Sequence, residues 1–368
     1  MNRKILSLSF FLLTLAQAGA QPVDSVRIPI GLPYMLEINP DARTAAMGYA
    51  GAALSPDANA TYINSSKLAA AREDFGASVS YTPWLPNLVD GMWLGYASAY
   101  KKLGERQAVA ASVQYFDYDV YTTGGAGNRA HDIAISGMYS RQLDRNFSMG
   151  LTLKYISSDW GQGVVAGNSV KPGRAIAADI SAYYRKRLKD ESTGQDFSWS
   201  FGAVLANIGN KIDYGVGGGQ YFLPAKLRVG GGISYSATGR HRINLIADAS
   251  KLLVPTPVGG SIVSSPKSFE AIFKSFTDAP GGFKEEMQEI MIGVGAEYWY
   301  NDVVALRAGY YNENERKTNQ KLVTVGAGAR IFKKYQADFG YAFSAQKGSA
   351  VLDTYRATLS FYLNGKKG

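Results

Sequence analysis

The period of the side chains constrains this chain more than any other feature. From Arg72 to Leu363 it repeats one unit about fourteen times, roughly ten residues alternating apolar with small or polar and then a turn, alternately short and long. Phe197, Trp199, Phe201, Ala203 and Leu205 interleave with Ser198, Ser200 and Gly202. Ile290, Ile292, Val294, Ala296, Tyr298 and Tyr300 interleave with Gly293, Gly295 and Glu297, and Phe147, Met149, Leu151, Leu153 and Tyr155 with Ser148, Gly150, Thr152 and Lys154. Successive strand side chains point to opposite faces, so each run has one oily and one wet face. A soluble sandwich shares that pattern. The number of runs, the aromatic residues at their ends and the rhythm of connections favour lipid outside and water within. They predict an all-β transmembrane protein, an antiparallel outer-membrane β-barrel of about 14 strands.

Targeting agrees with this reading. Residues 1–20 read as a secretory signal: Arg3 and Lys4, an apolar stretch from Ile5 to Leu15, then Ala18-Gly19-Ala20 ahead of Gln21. No later stretch approaches the ~20 continuous apolar residues of a spanning helix, so strands must make any crossing. With no cysteine the chain has no disulfide, no thiolate chemistry and no lipoprotein anchor. The net charge of +9 falls by two when Arg3 and Lys4 leave with the signal. The remaining charges are scattered, which fits anionic outer-membrane lipid headgroups and no nucleic-acid partner.

The predicted strands begin with 72–82 and 90–101 and end with 335–345 and 352–363, so the barrel occupies 72–363 and leaves a tail at 364–368. Tight turns such as Leu103-Gly104-Glu105, Asp144-Arg145, Asn301-Asp302 and Lys333-Lys334 follow even-numbered strands. Longer connections, up to the stretch from Leu253 to Met287, follow odd-numbered ones. Outer-membrane barrels keep short turns inside and long loops outside, which places both termini in the periplasm. A charge facing lipid near the midplane costs ~2–4 kcal/mol. Lys154, Arg228, Arg242, Glu297, Arg307, Arg330 and Arg356 are therefore expected to point inward and pair with one another or with a plug.

Two segments break the rhythm. Residues 21–71 hold a small-residue run from Ala42 to Ala53, followed by the turn signal Ser55-Pro56-Asp57. Too polar and too short to cross lipid, this segment is expected to plug the barrel mouth or lumen from the periplasmic side. The longest loop opens on Pro255 and Pro257, carries Ser265-Pro266 as a helix cap, and ends at Pro280-Gly281-Gly282. Within it Phe269, Ile272, Phe273 and Phe276 stand at i, i+3, i+4 and i+7 and share one helical face. An apolar stripe on an exterior loop needs cover, from the barrel rim or from a partner protein. Tyr214, Tyr221 and Phe222, flanking Gly215 to Gly219, join these residues as candidate partner contacts, because aromatic anchors bury large area at modest entropy cost. Gly217-Gly218-Gly219 reads equally well as a flexible loop.

The run Asn39-Pro40-Asp41-Ala42-Arg43-Thr44-Ala45-Ala46-Met47-Gly48-Tyr49-Ala50-Gly51-Ala52-Ala53, continuing through Ser55-Pro56-Asp57-Ala58-Asn59-Ala60-Thr61-Tyr62-Ile63-Asn64, resembles the N-terminal signature of the PorV/PorQ branch of the FadL-like barrels. In the resemblance the plug motif falls on Asp41, Arg43, Gly48, Gly51, Asp57 and Asn64. FadL-type transporters follow the corresponding turn with Asn-Pro-Ala, where this chain has Asn64-Ser65-Ser66. The resemblance implies a component of the type IX secretion system of Bacteroidetes, without enzymatic activity or cofactor. In that role a shuttle accepts secreted cargo through its C-terminal signal domain from a translocon barrel similar to SprA/Sov. It delivers the cargo to an attachment complex of a PorU-like sortase with PorQ and PorZ. The alternative is a FadL-type transporter of hydrophobic small molecules, which needs a greasy lumen pocket and an opening in the wall.

No constellation rises to catalysis or metal binding. His131 and His241, the only two histidines, fall at opposite rims, ~25 Å or more apart, and cannot share a metal. A lipid hydrolase would need His131 beside an outer-rim serine. Asp117 and Asp119 among Tyr115, Tyr118 and Tyr121 are too loosely spaced for a calcium motif. Gly124-Gly125-Ala126-Gly127 lacks the Lys-Ser/Thr and helix of a phosphate loop.

Overall fold

A computed structural model describes residues 27–121, 129–161, 164–165, 168–189, 194–215, 219–237, 239–257, 267–345 and 353–364. Fourteen strands form the wall: β1 Phe75–Pro83, β2 Trp93–Lys102, β3 Gln107–Tyr121, β4 Arg129–Asp144, β5 Phe147–Asp159, β6 Gly173–Lys189 and β7 Asp196–Gly209. The second half comprises β8 Lys226–Ala237, β9 His241–Leu252, β10 Met291–Tyr300, β11 Val304–Asn312, β12 Lys321–Ile331, β13 Tyr335–Ser344 and β14 Thr354–Leu363. Each strand pairs antiparallel with its sequence neighbours, and β1 closes on β14 with Phe75 opposite Leu363. Closure satisfies every strand edge, the condition for sheet to sit in hydrocarbon. No strand boundary differs from its predicted position by more than three residues. β10 starts at Met291, behind a short helix, Phe283–Gln288, that ends the preceding loop.

The dyad pattern sorts the faces as the sequence requires. Val79, Ile135, Leu151, Leu153, Ile176, Phe201, Leu306 and Leu359 are exposed on the outer surface, whereas Ser78, Ser98, Ser112, Ser136, Thr152, Ser181 and Ser200 are buried within. Register aligns Ser360, Ser78, Ser98, Ser112 and Ser136 across five neighbouring strands, a band of small side chains that leaves room in the lumen. Aromatic girdles mark both rims. Tyr81, Trp93, Tyr115 and His131 follow one another near the long-loop end, with ring centroids 5.5 to 5.9 Å apart. Tyr335–Phe361 and Tyr184–Trp199 do the same near the short turns.

The lumen holds the segment that precedes β1. It contains two one-turn helices, α1 Ala42–Ala45 and α2 Ala60–Ile63, flanked by 3₁₀ turns at Tyr34–Glu37 and Ser65–Ala70. Asp41 caps α1 by accepting from the amides of Arg43 and Thr44. Arg27 lies beside Glu285 and Lys317 of the long loops, while Ala71 lies beside Lys102 at the short-turn end, so the segment runs the whole length of the barrel. The plug expected at the periplasmic mouth or lumen thus extends, over its described residues, up to the long loops. β14 ends at the short turns, but Arg27 stands at the opposite end, because the chain threads the lumen before the first strand can begin.

Two helices occupy the longest loop, α3 Ser268–Lys274 and α4 Phe283–Gln288. The cap position of α3 is Lys267, with no side-chain capping bond, and the expected cap Ser265-Pro266 lies outside the described residues. The same holds for Gly124 to Gly127, for Gly217 and Gly218, and for the signal segment.

Candidate functional site

In the half of the lumen nearer the short turns, an ionic chain joins the plug to the wall. The Arg43 guanidinium donates to both carboxylate oxygens of Glu297, at 2.8 Å each, and to Asp57 Oδ2 at 2.7 Å. Glu297 also accepts from Arg307 Nε at 2.8 Å and from Asn244 Nδ2 at 2.9 Å, and Arg307 continues to Asp338 at 2.8 Å. These groups are almost wholly buried. Burying an unpaired charge is costly, so they hold one another in place. The remaining plug-motif residues act through hydrogen bonds to side chains and backbone. Asp41 accepts from Thr44 Oγ1 and from Asn59 Nδ2, and Asn64 caps the following turn while donating to the carbonyls of Ala52 and Ala182. The Gly51 amide donates to Asp248 Oδ2 at 2.7 Å, and its carbonyl accepts from Lys67 Nζ at 2.8 Å.

Gly48 shows why a small-residue run is needed here. Its φ is +63°, and a Cβ would stand 2.4 Å from the carbonyl oxygen of Tyr310. From the wall side, a Cβ on Gly309 would stand 2.2 Å from the Gly48 nitrogen. Plug backbone and strand backbone touch without side chains between them. Ser65 and Ser66, which stand where FadL-type transporters have Pro-Ala, are wall anchors. Ser65 Oγ lies 3.2 Å from Thr152 Oγ1, and the Ser66 carbonyl accepts from Ser148 Oγ at 2.8 Å.

The other half of the lumen is sealed by apolar packing. Met35, Leu36 and Ile38 of the plug meet Leu94, Tyr96, Phe116, Ile156, Ile212, Tyr214 and Leu223 of the wall and loops in one cluster. Tyr214 stacks on Trp160 at 4.3 Å and donates to Ser158 Oγ at 3.0 Å. Above this cluster Arg27 donates to Glu285, which also pairs with Lys317 at 3.0 Å. Burial pulls the Glu285 carboxyl up, but the Arg27 guanidinium, the Gly281 amide and the Lys317 ammonium outweigh it and hold the group down at about 2.

The seven aromatic and apolar residues singled out as partner contacts separate into two groups. Tyr214, Phe222 and Ile272 are buried and serve the loop core. Tyr221 is partly covered, and Phe269, Phe273 and Phe276 are exposed. Sequence reasoning missed Asp248, Asp338 and Lys67 as plug-holding groups. Asp248 and Asp338 were signalled by their inward parity, each the one acid on its strand's inner face. Every inward charge named from the sequence has a partner in the lumen or at its rim: Lys154 with Asp179, Arg228 with the Tyr49 carbonyl, Arg242 with Asp302 of the short turn, Arg330 with Gln336, and Arg356 with the Asn39 carbonyl.

His131 stands outward in the girdle, stacked on Tyr115, with Nδ1 2.9 Å from the Arg129 carbonyl. Asp117 and Asp119 both pair with Arg129, and no cluster of metal-ligating side chains occurs among the described residues.

A closed fourteen-stranded wall with two aromatic girdles and an N-terminal segment packed through its lumen defines an outer-membrane barrel of the FadL-like class. The chain is similar to the toluene transporter TodX of P. putida at 10% identity, over 88% of this chain and 98% of that one, with a TM-score of 0.52. It is similar to the monoaromatic hydrocarbon channel CymD at 15% identity, over 88% and 97%, with a TM-score of 0.51. A Pseudomonas aeruginosa FadL homologue aligns over 90% and 98% at 12% identity and a TM-score of 0.44. Identities this low speak to fold alone. No curated protein sequence matches the chain. The family of the type IX secretion system protein PorV matches residues 21–259, well over half the sequence. The chain belongs to the PorV family, and is an outer-membrane component of the type IX secretion system.

Proposed function

We propose that this barrel is a non-enzymatic shuttle. It binds the C-terminal signal domain of secreted cargo at a translocon barrel of the SprA/Sov kind and hands the cargo to a surface attachment complex containing a PorU-like sortase with PorQ and PorZ. The observation that carries this reading is the plug. Residues 27–71 run through the lumen from one end to the other and pack on its wall, which leaves the loops at the outer end as the open working surface. A lipid-embedded cylinder that diffuses in the plane of the membrane, with adaptable loops at one end, suits carriage of a protein between two fixed machines. Tyr221 and the loop surface around it, above the sealed mouth, are the proposed cargo contact.

Affinity capture from detergent-solubilised outer membrane tests the proposal. It should recover secreted proteins bearing a β-sandwich tail, and recover few of them when Tyr221→Ala is made in a barrel that still assembles. Recovery of bound lipid with no protein partner supports instead the second reading, a transporter of hydrophobic small molecules. That reading draws on the apolar character of the upper lumen, and it requires Met35, Leu36 and Ile38 to vacate it.

A further inference from the structure

The longest loop folds down over the outside of the barrel. Ile272 packs with Ala225 and Leu253 against Leu205, Ile208 and Leu227. Leu205 and Leu227 face each other across β7 and β8, one step along the strands from the pair Ala203 and Val229. Val229 and Phe201 belong to the exposed outer belt, at 46% and 58%. Lys251 also lies on the outward parity of β9, and it is buried beneath α4 by pairing with Glu286 and Glu289. α3 therefore rests against the lipid-facing wall at the upper border of its apolar belt, while α4 bridges from Lys251 to Arg27 and Lys317 at the mouth.

The wheel of α3 has three sectors. At about 100° per residue, Ala271, Ile272 and Ser275 fall together and are buried against the protein. Phe269, Phe273 and Phe276 fall in the next sector and are 67%, 63% and 44% exposed. Glu270 and Lys274 fall in the third, paired with each other and open to solvent. A helix in water beside a protein needs two sectors, one packed and one polar. A third, made of phenylalanine and set between the other two, is what a helix needs when it lies in a membrane interface with a wall beside it, acyl chains below and headgroups above.

We propose that the Phe269, Phe273 and Phe276 face is buried among acyl chains of the leaflet at the long-loop end, making this loop a lateral membrane anchor. The occupant is fixed by continuity with the established lipid surface: the helix covers the row of wall side chains immediately above the belt, and its phenyl groups extend the same oily surface sideways. Such an anchor sets the tilt and depth of the barrel at its long-loop end. The inference rests on the membrane placement of the wall and not on the shuttle reading.

The absence of native cysteine allows single-site labelling. Phe273→Cys, Lys274→Cys and Phe201→Cys, each carrying an environment-sensitive fluorophore, are placed in phospholipid nanodiscs with nitroxide groups high on the acyl chain. Assembly of each barrel is checked by heat-modifiable gel migration. The label at 273 should be quenched by the nitroxide lipid as strongly as the belt label at 201 and shielded from aqueous iodide, with the label at 274 behaving oppositely. Equal iodide quenching at 273 and 274 overturns the proposal. So does a 273 label shielded from iodide yet untouched by nitroxide lipid, which places protein over the face. Affinity capture of secreted cargo is a separate readout, so its loss or retention does not confound this one.

Discussion

The two halves of the lumen hold the same segment by different physics. Toward the short turns the plug is keyed by charge: Arg43 reaches both Glu297 and Asp57, and Glu297 is shared with Arg307. Toward the long loops it is keyed by shape, with Met35, Leu36 and Ile38 packed among aromatic and aliphatic side chains. Charge gives orientation and register, because a buried ion that loses its partner is heavily penalised, while apolar packing gives adhesion that tolerates small shifts. The charged end sets the register of the plug, and the apolar end, tied at its top by Arg27 to Glu285, faces the loops.

Breaking the charged end should have the largest effect. Glu297→Ala removes the carboxylate that Arg43 and Arg307 share and leaves only Asp57 and Asp338 to face them, a loss of up to ~3–5 kcal/mol, expected to release the plug, and measurable as proteolysis within residues 38–71 of an otherwise folded barrel. Met35→Ala tests the other end by leaving a cavity at about 2–5 kcal/mol. Its expected signature is a lowered thermal midpoint without proteolysis in the ionic half. Equal protease sensitivity in both variants would show that the halves act as one unit.

Smaller effects sharpen the contrast. Asp41→Ala removes the cap of α1 and its bond to Asn59, worth ~0.5–2 kcal/mol, and should raise hydrogen exchange at Arg43 and Thr44 before elsewhere. The mildest test is acid. The Glu285 carboxyl is held at about 2 against an ordinary value of 4.5. Its contribution is therefore complete above pH 4.5 and lost as pH falls toward 2. Crosslinking between residues 27 and 317 should persist from pH 7 to 5 and fail only below that window, while loss near pH 6 would point to a different group.

The wall was legible in the sequence because a membrane barrel repeats one simple rule. Lipid on one side and a wet lumen on the other force a period of two, and Phe201, Val294 or Leu359 can satisfy it on only one face. The plug motif was legible as a composition, since Gly48 stands where backbone meets backbone. Its route was not, because a one-turn helix such as Ala42–Ala45 carries no periodicity that points up or down a lumen. The phenylalanine stripe gave the helix but not its surroundings. Ile272 shares the broad apolar arc with Phe269 and Phe273, and only the barrel wall, touching one edge of that arc, separates them.

Ion conductance of the purified barrel in a planar bilayer tests the central claim, that the lumen is stoppered end to end. The wild-type protein should insert without opening a pore, and removal of residues 27–71 should produce a stable conductance. A steady wild-type current comparable to that of the deletion would contradict the account.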